Sequence, residues 1–127
     1  MTFIVSRSRA DSAMSGSVPF DQAATLQRLG NDRALYADLV KFFLEDSKDL
    51  FGKLQTQMNA EDADGVGRAS HALRGICANF GASEAVDLCW TIERRVGVGD
   101  WREVRAAAGQ LDAGLKRLRQ ALEKSIA

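Results

Sequence analysis

Reactive side chains are scarce in this chain of 127 residues, which holds one His, two Cys and one Pro. One imidazole and two separated thiols cannot assemble a four-ligand zinc site of the usual kinds. Basic and acidic residues balance at 17 each, so the formal net charge is zero. That leaves no general electrostatic drive toward nucleic acid, whose binding rests on phosphate neutralisation. Two Cys without a secretory leader do not read as a disulfide framework, and a reduced, cytoplasmic setting is expected. The early apolar run Phe3-Ile4-Val5 is too short for a signal-peptide core. No stretch approaches the roughly 18 apolar residues of a membrane span. Neither nucleic acid nor a membrane is therefore an expected partner.

What the chain does have is 46% hydrophobic residues, enough for one core. A domain of this size buries roughly two-thirds of the surface its unfolded chain exposes. Residues 1–17, rich in Ser, Arg, Asp and Gly without a helical period, read as a flexible N-terminal leader, and residues 18–127 as a single domain. Asp21 can cap a short helix that carries Leu26 and Leu29 and stops at Gly30. Asn31 or Asp32 can cap a long second helix with Tyr36, Val40, Phe43, Leu50 and Leu54 on one stripe. The acidic stretch Glu61, Asp62, Asp64 suits the start of a third helix, predicted to run from about Asp62 to Phe80 with Gly81 as its stop. A fourth opens at Ser83, carries Val86, Cys89, Ile92 and Val96, and ends at Gly97 and Gly99. Asp100 with Glu103 has capping-box spacing, and the fifth helix has Val104, Ala108, Leu111, Leu115, Leu118 and Leu122 in 3-4 alternation. No alternating strand, hairpin signal or internal repeat interrupts the pattern. The expected fold is all-α: an antiparallel four-helix bundle with a short additional N-terminal helix.

On a helical wheel at about 100° per residue, the third helix splits into two faces. Val66, Ala69, Leu73, Ile76, Cys77 and Phe80 form the core face, and His71 falls opposite, toward solvent. An exposed His can be mere decoration. The residues beside His71 argue otherwise: Gly67 at i−4, Arg68 at i−3, Arg74 at i+3, Gly75 at i+4 and Ala78 at i+7 share its face. A mid-helix Gly costs about 1 kcal/mol relative to Ala, so two of them bracketing the only His imply that something must approach closely.

A neutral imidazole keeps a ring lone pair that can attack phosphorus. Arg68 and Arg74 offer N–H donors where phosphoryl oxygens would sit. A nucleophile without a companion base or metal is a poor stand-alone catalyst. The chain also lacks a Walker-type loop and a kinase-like Gly-rich loop, so the phosphoryl group must be supplied by a partner.

The run Ser70-His71-Ala72-Leu73-Arg74-Gly75-Ile76-Cys77-Ala78-Asn79-Phe80-Gly81 resembles the signature of the histidine-containing phosphotransfer (HPt) domain family, His-x-Leu-Lys/Arg-Gly with a further Gly near the helix end. As a helix pattern the resemblance extends from about Phe20 to Ile126. It implies that His71 is phosphorylated by an Asp of a receiver domain and passes the group to another receiver or back. It further implies that Arg74 holds the phosphoryl oxygens, and that Gly75 leaves room at the imidazole. Gly67, Arg68, Ala78 and Asn79 are the implied partner contacts. Ile76 stands where many members have a small or hydroxyl residue, and Ala78 replaces a frequent small residue. The implied partners are receiver domains of response regulators or of a hybrid sensor kinase. No cofactor is expected in this chain, and Mg²⁺ is expected on the receiver. The protein is expected to be a monomeric phosphotransfer intermediate with no kinase or ATP-binding activity of its own.

Other features have plainer readings. Cys77 and Cys89 lie on core stripes, where free Cys behaves as a small hydrophobe. Trp90 and Trp101 read as packing anchors, and Lys116, Arg117 and Arg119 as a solvated face. Glu45, Asp46 and Asp49 lack the further ligand that a metal site needs. Two alternatives stay open at the level of sequence. One is an adaptor that binds a receiver or another regulator through the His71 face without transfer. The other is the dimerising helical region of a sensor kinase, which would pair a two-helix hairpin with a copy of itself.

Overall fold

Four aspartates start helices. Asp21, Asp32, Asp62 and Asp100 each stand one residue ahead of a helix, and each carboxylate accepts a backbone N–H three residues on, from Ala24, Leu35, Gly65 and Glu103 at 3.0 to 3.2 Å. This satisfies one of the N–H groups that every helix start leaves without an internal partner. In the computed structural model, which describes residues 19–127, these caps open α1 (Gln22–Arg28), α2 (Arg33–Asn59), α3 (Ala63–Ala78) and α5 (Trp101–Ser125). The exception is α4 (Ser83–Gly97): Ala82 occupies its cap position and supplies no side-chain bond. The leader proposed for residues 1–17 lies outside the described residues. No strand is present among the described residues, in keeping with the all-α expectation.

The connections between α2, α3, α4 and α5 are only a few residues long, so consecutive helices run antiparallel. Each packs on the next, and α2 also packs on α5, which closes a ring of four helices around one core. A closed ring needs no second copy to bury its stripes, unlike the self-pairing hairpin of the sensor-kinase alternative. The fifth-helix stripe is buried at every expected position, from Val104 to Leu122. On α2 the stripe runs Tyr36, Val40, Phe43, Ser47, Phe51, Leu54, so Phe51 is buried while Leu50 is only half-buried at the edge. On α4 the small Ala85 is buried and Val86 half-buried, reversing the expectation for that turn. Arg119, read as part of a solvated face, turns inward and donates to the hydroxyl of buried Ser47 at 3.4 Å.

Two elements hold the far end of α3. Gly81, with φ of +63°, ends the helix in the left-handed region that favours Gly. Phe80 packs edge-on against Phe43 and Tyr36, with ring centroids 5.4 and 6.3 Å away. The short α1 docks here: the Asp21 N–H donates to the Phe80 carbonyl at 2.9 Å, and Arg28 and Thr25 donate to the Asn79 carbonyl. The helix that carries the only His is therefore fixed at its start by Asp62 and at its end by α1 and Phe80.

Candidate functional site

Burial of Val66, Ala69, Leu73 and Cys77 sets the rotation of α3 about its own axis and turns His71 outward. The imidazole is 68% exposed in mid-helix. Gly67, Arg68, Gly75 and Ala78 lie on the same outward face, and among the described residues Arg68 makes no ion pair or hydrogen bond through its side chain. Beyond its own stretch of helix, a Cβ added at Gly67 or Gly75 would meet no atom of the described residues within 4 Å. The bundle itself therefore does not require glycine at either position, and the cleared space opens to solvent beside the ring. Gly65 is the contrasting case: a Cβ there would come within 2.6 Å of the Asp62 carboxylate and the Gln57 amide.

Arg74 does not project freely. Its Nε donates to Glu93 Oε2 at 2.6 Å and its Nη2 reaches Glu93 Oε1 at 3.4 Å. The same Nη2 lies 2.8 Å from His71 Nδ1, and Glu93 Oε1 is 3.4 Å from that nitrogen. The guanidinium carbon sits 4.0 Å from the ring centroid of Trp90, in cation–π range. The hydrogen bond that Arg74 donates to Glu93 raises the Arg74 pKa further above its ordinary value, so the cation is permanent. The local patch at His71 is accordingly less cationic than two free arginines would make it: Arg68 is unpaired and Arg74 is paired.

Glu93 and Trp90 were not legible as site residues. Glu93 stands 19 residues from Arg74, on the next helix, and only the register of the α3–α4 hairpin brings the two together. Trp90, read as a packing anchor, is 43% exposed and serves instead as a shelf for Arg74. Asn79 is not brought to His71. It is the C-cap of α3, about 12 Å along the axis by helix geometry, and its carbonyl serves the α1 seam. Cys77 and Cys89 are free and buried, as their stripes imply. Burial pushes the Cys77 thiol up to about 12 and the Cys89 thiol higher still. Among the described residues no group of three His, Cys, Asp or Glu side chains gathers as a metal ion would require.

The family model of the Hpt domain matches residues 38–121. The chain belongs to the Hpt domain family. Its function is histidine phosphotransfer within a phosphorelay, and Hpt domains interact with receiver domains of two-component systems. Among solved structures, histidine-containing phosphotransfer protein B (HptB) from Pseudomonas aeruginosa PAO1 superposes with a TM-score of 0.79 at 20% identity, covering 84% of this chain and 93% of that one. The Hpt domain of a sensor hybrid histidine kinase from Shewanella superposes with a TM-score of 0.73 at 17% identity, covering 85% and 93%. At such identities these two likenesses establish the shared helical fold. No curated protein matches the sequence.

Proposed function

We propose that His71 is the residue of this Hpt domain that takes the phosphoryl group from a receiver aspartate and yields it to a second receiver or returns it. One observation carries the reading: the only imidazole in the chain stands exposed in mid-α3 with a guanidinium on its ring and open space on its flank. In the forward step the ring Nε2 lone pair forms the N–P bond. The P–O bond to the aspartyl carboxylate breaks, and its electron pair stays on the carboxylate oxygen. Arg74 then holds phosphoryl oxygens, a charge-assisted contact that the planar guanidinium makes well. Gly67, Arg68, Gly75 and Ala78 form the contact face for the receiver, and Mg²⁺ belongs to the receiver's own site.

The chain acts as a carrier and not as a kinase, as a monomer and in the cytoplasm. None of its described helices is long and apolar enough to cross a membrane. No observation favours the adaptor reading. The test is to incubate the protein with a phosphorylated receiver and follow acid-labile label. Wild type should acquire label and His71→Gln should acquire none. Label of equal intensity on His71→Gln would overturn the assignment.

A further inference from the structure

The two neighbours of His71 Nδ1 demand opposite things of the ring. Arg74 is a donor only and does not lose its proton in proteins, so its Nη2 at 2.8 Å requires a lone pair on Nδ1. The neutral ring then carries its proton on Nε2, the nitrogen that must attack. A carboxylate only accepts, so Glu93 Oε1, 3.4 Å from Nδ1 and not hydrogen-bonded to it, favours a proton there once it closes on the ring, which would leave the lone pair on Nε2. The position of the ring proton follows from this inventory of donors and acceptors. The shorter contact belongs to Arg74, and it holds the ring in the tautomer that cannot act as a nucleophile at Nε2.

From this geometry we propose that Arg74 is a tautomer lock on His71, released when the anionic phosphoryl group of the partner draws Nη2 away, and that Glu93 then selects the reactive tautomer. This rests on His71 being the phosphoryl acceptor. Release needs little motion. Arg74 Nε stays on Glu93 Oε2 while the guanidinium slides on the Trp90 face, and Nη2 exchanges the ring nitrogen for a phosphoryl oxygen. Glu93 Oε1 needs to close only a short gap to accept from Nδ1–H. Water can carry the ring proton from Nε2 to Nδ1, because the imidazole is 68% exposed. When the N–P bond forms, the ring gains positive charge with its Nδ1 proton in place, facing the Glu93 carboxylate. In the return step the same proton lets the ring leave as neutral imidazole. Glu93 is thus a positioning residue, acting through the ring and not on phosphorus. The free protein keeps its nucleophile masked until an anionic donor is docked.

The single His makes the test direct, since every imidazole nitrogen signal belongs to residue 71. Long-range ¹H–¹⁵N spectra are recorded on the unphosphorylated full chain at a pH where the ring is neutral. Wild type is expected to show mostly the Nε2–H form. Arg74→Ala should invert the ratio toward Nδ1–H, and Arg74→Ala with Glu93→Ala should lose that excess. All these side chains lie at the surface or half-buried, and circular dichroism verifies that the variants are folded. A wild type already in the Nδ1–H form, or a ratio unmoved by Arg74→Ala, overturns the lock. Because no phosphoryl transfer is involved, the measurement stands apart from the labelling of His71→Gln. An inverted ratio alongside label on His71→Gln would refute the acceptor assignment and leave the lock intact.

Discussion

Beyond its own stretch of helix, a methyl group at position 75 would find no atom of the described residues within 4 Å to clash with, yet glycine is an expensive residue for a helix interior. This separates the needs of folding from those of docking. Gly75→Ala should raise stability by about 1 kcal/mol, read by urea unfolding, because Ala is the better helix former. The same change should slow transfer from a docked receiver by roughly 10- to 100-fold, since small misplacements of reacting atoms cost that much. A variant that is stabilised and transfers at the wild-type rate would show that the cleared flank has no role in the complex. The thiols yield a second expectation at this scale. Burial holds Cys77 protonated up to about 12, whereas an unfolded thiol ionises near 8.5. The unfolded state therefore releases protons first as pH rises, and stability contributed by these thiols is lost between those values. Replacing both Cys by Ala should flatten the alkaline part of the stability curve. In the native protein at pH 8 neither thiol should be alkylated by iodoacetamide, and both should react after denaturation, as counted by mass.

At the scale of the element, the four aspartate caps were legible because capping needs only local chemistry: a short acceptor side chain one residue before an apolar period. Asp62 starts the helix that carries His71. Asp62→Ala should cost about 1 kcal/mol, the usual value for a lost cap, and should raise amide exchange chiefly in the first turn of α3. Uniform exchange across α3 would show that the cap holds more than its own turn. The misjudged positions have a common cause. Leu50 against Phe51 and Val86 against Ala85 are adjacent residues at stripe edges, about 100° apart on the wheel, where periodicity alone does not say how closely the neighbouring helix approaches. Buried Ser47 was invisible for a related reason: periodicity does not show that Arg119 reaches its hydroxyl from another helix.

For the whole molecule, the closed ring of α2 to α5 places the α5 leucines at its centre. Leu111→Ala should lower stability by about 2–5 kcal/mol through lost burial and a residual cavity, measured by thermal or urea unfolding. A loss as small as that of a surface substitution would contradict the closed core. The sequence by itself determined the helix count, most of the core, the outward His71 with Gly67, Arg68, Arg74, Gly75 and Ala78 beside it, and the resemblance to the Hpt domain. All of these follow from contacts within one helix turn or from a contiguous motif. Only the tertiary structure decided that Arg74 is already paired with Glu93 and rests on Trp90, and that the Asn79 carbonyl serves the α1 seam. Those pairings join residues on different helices, and their distances depend on helix register and rotation, which the core sets by close packing and no local pattern encodes.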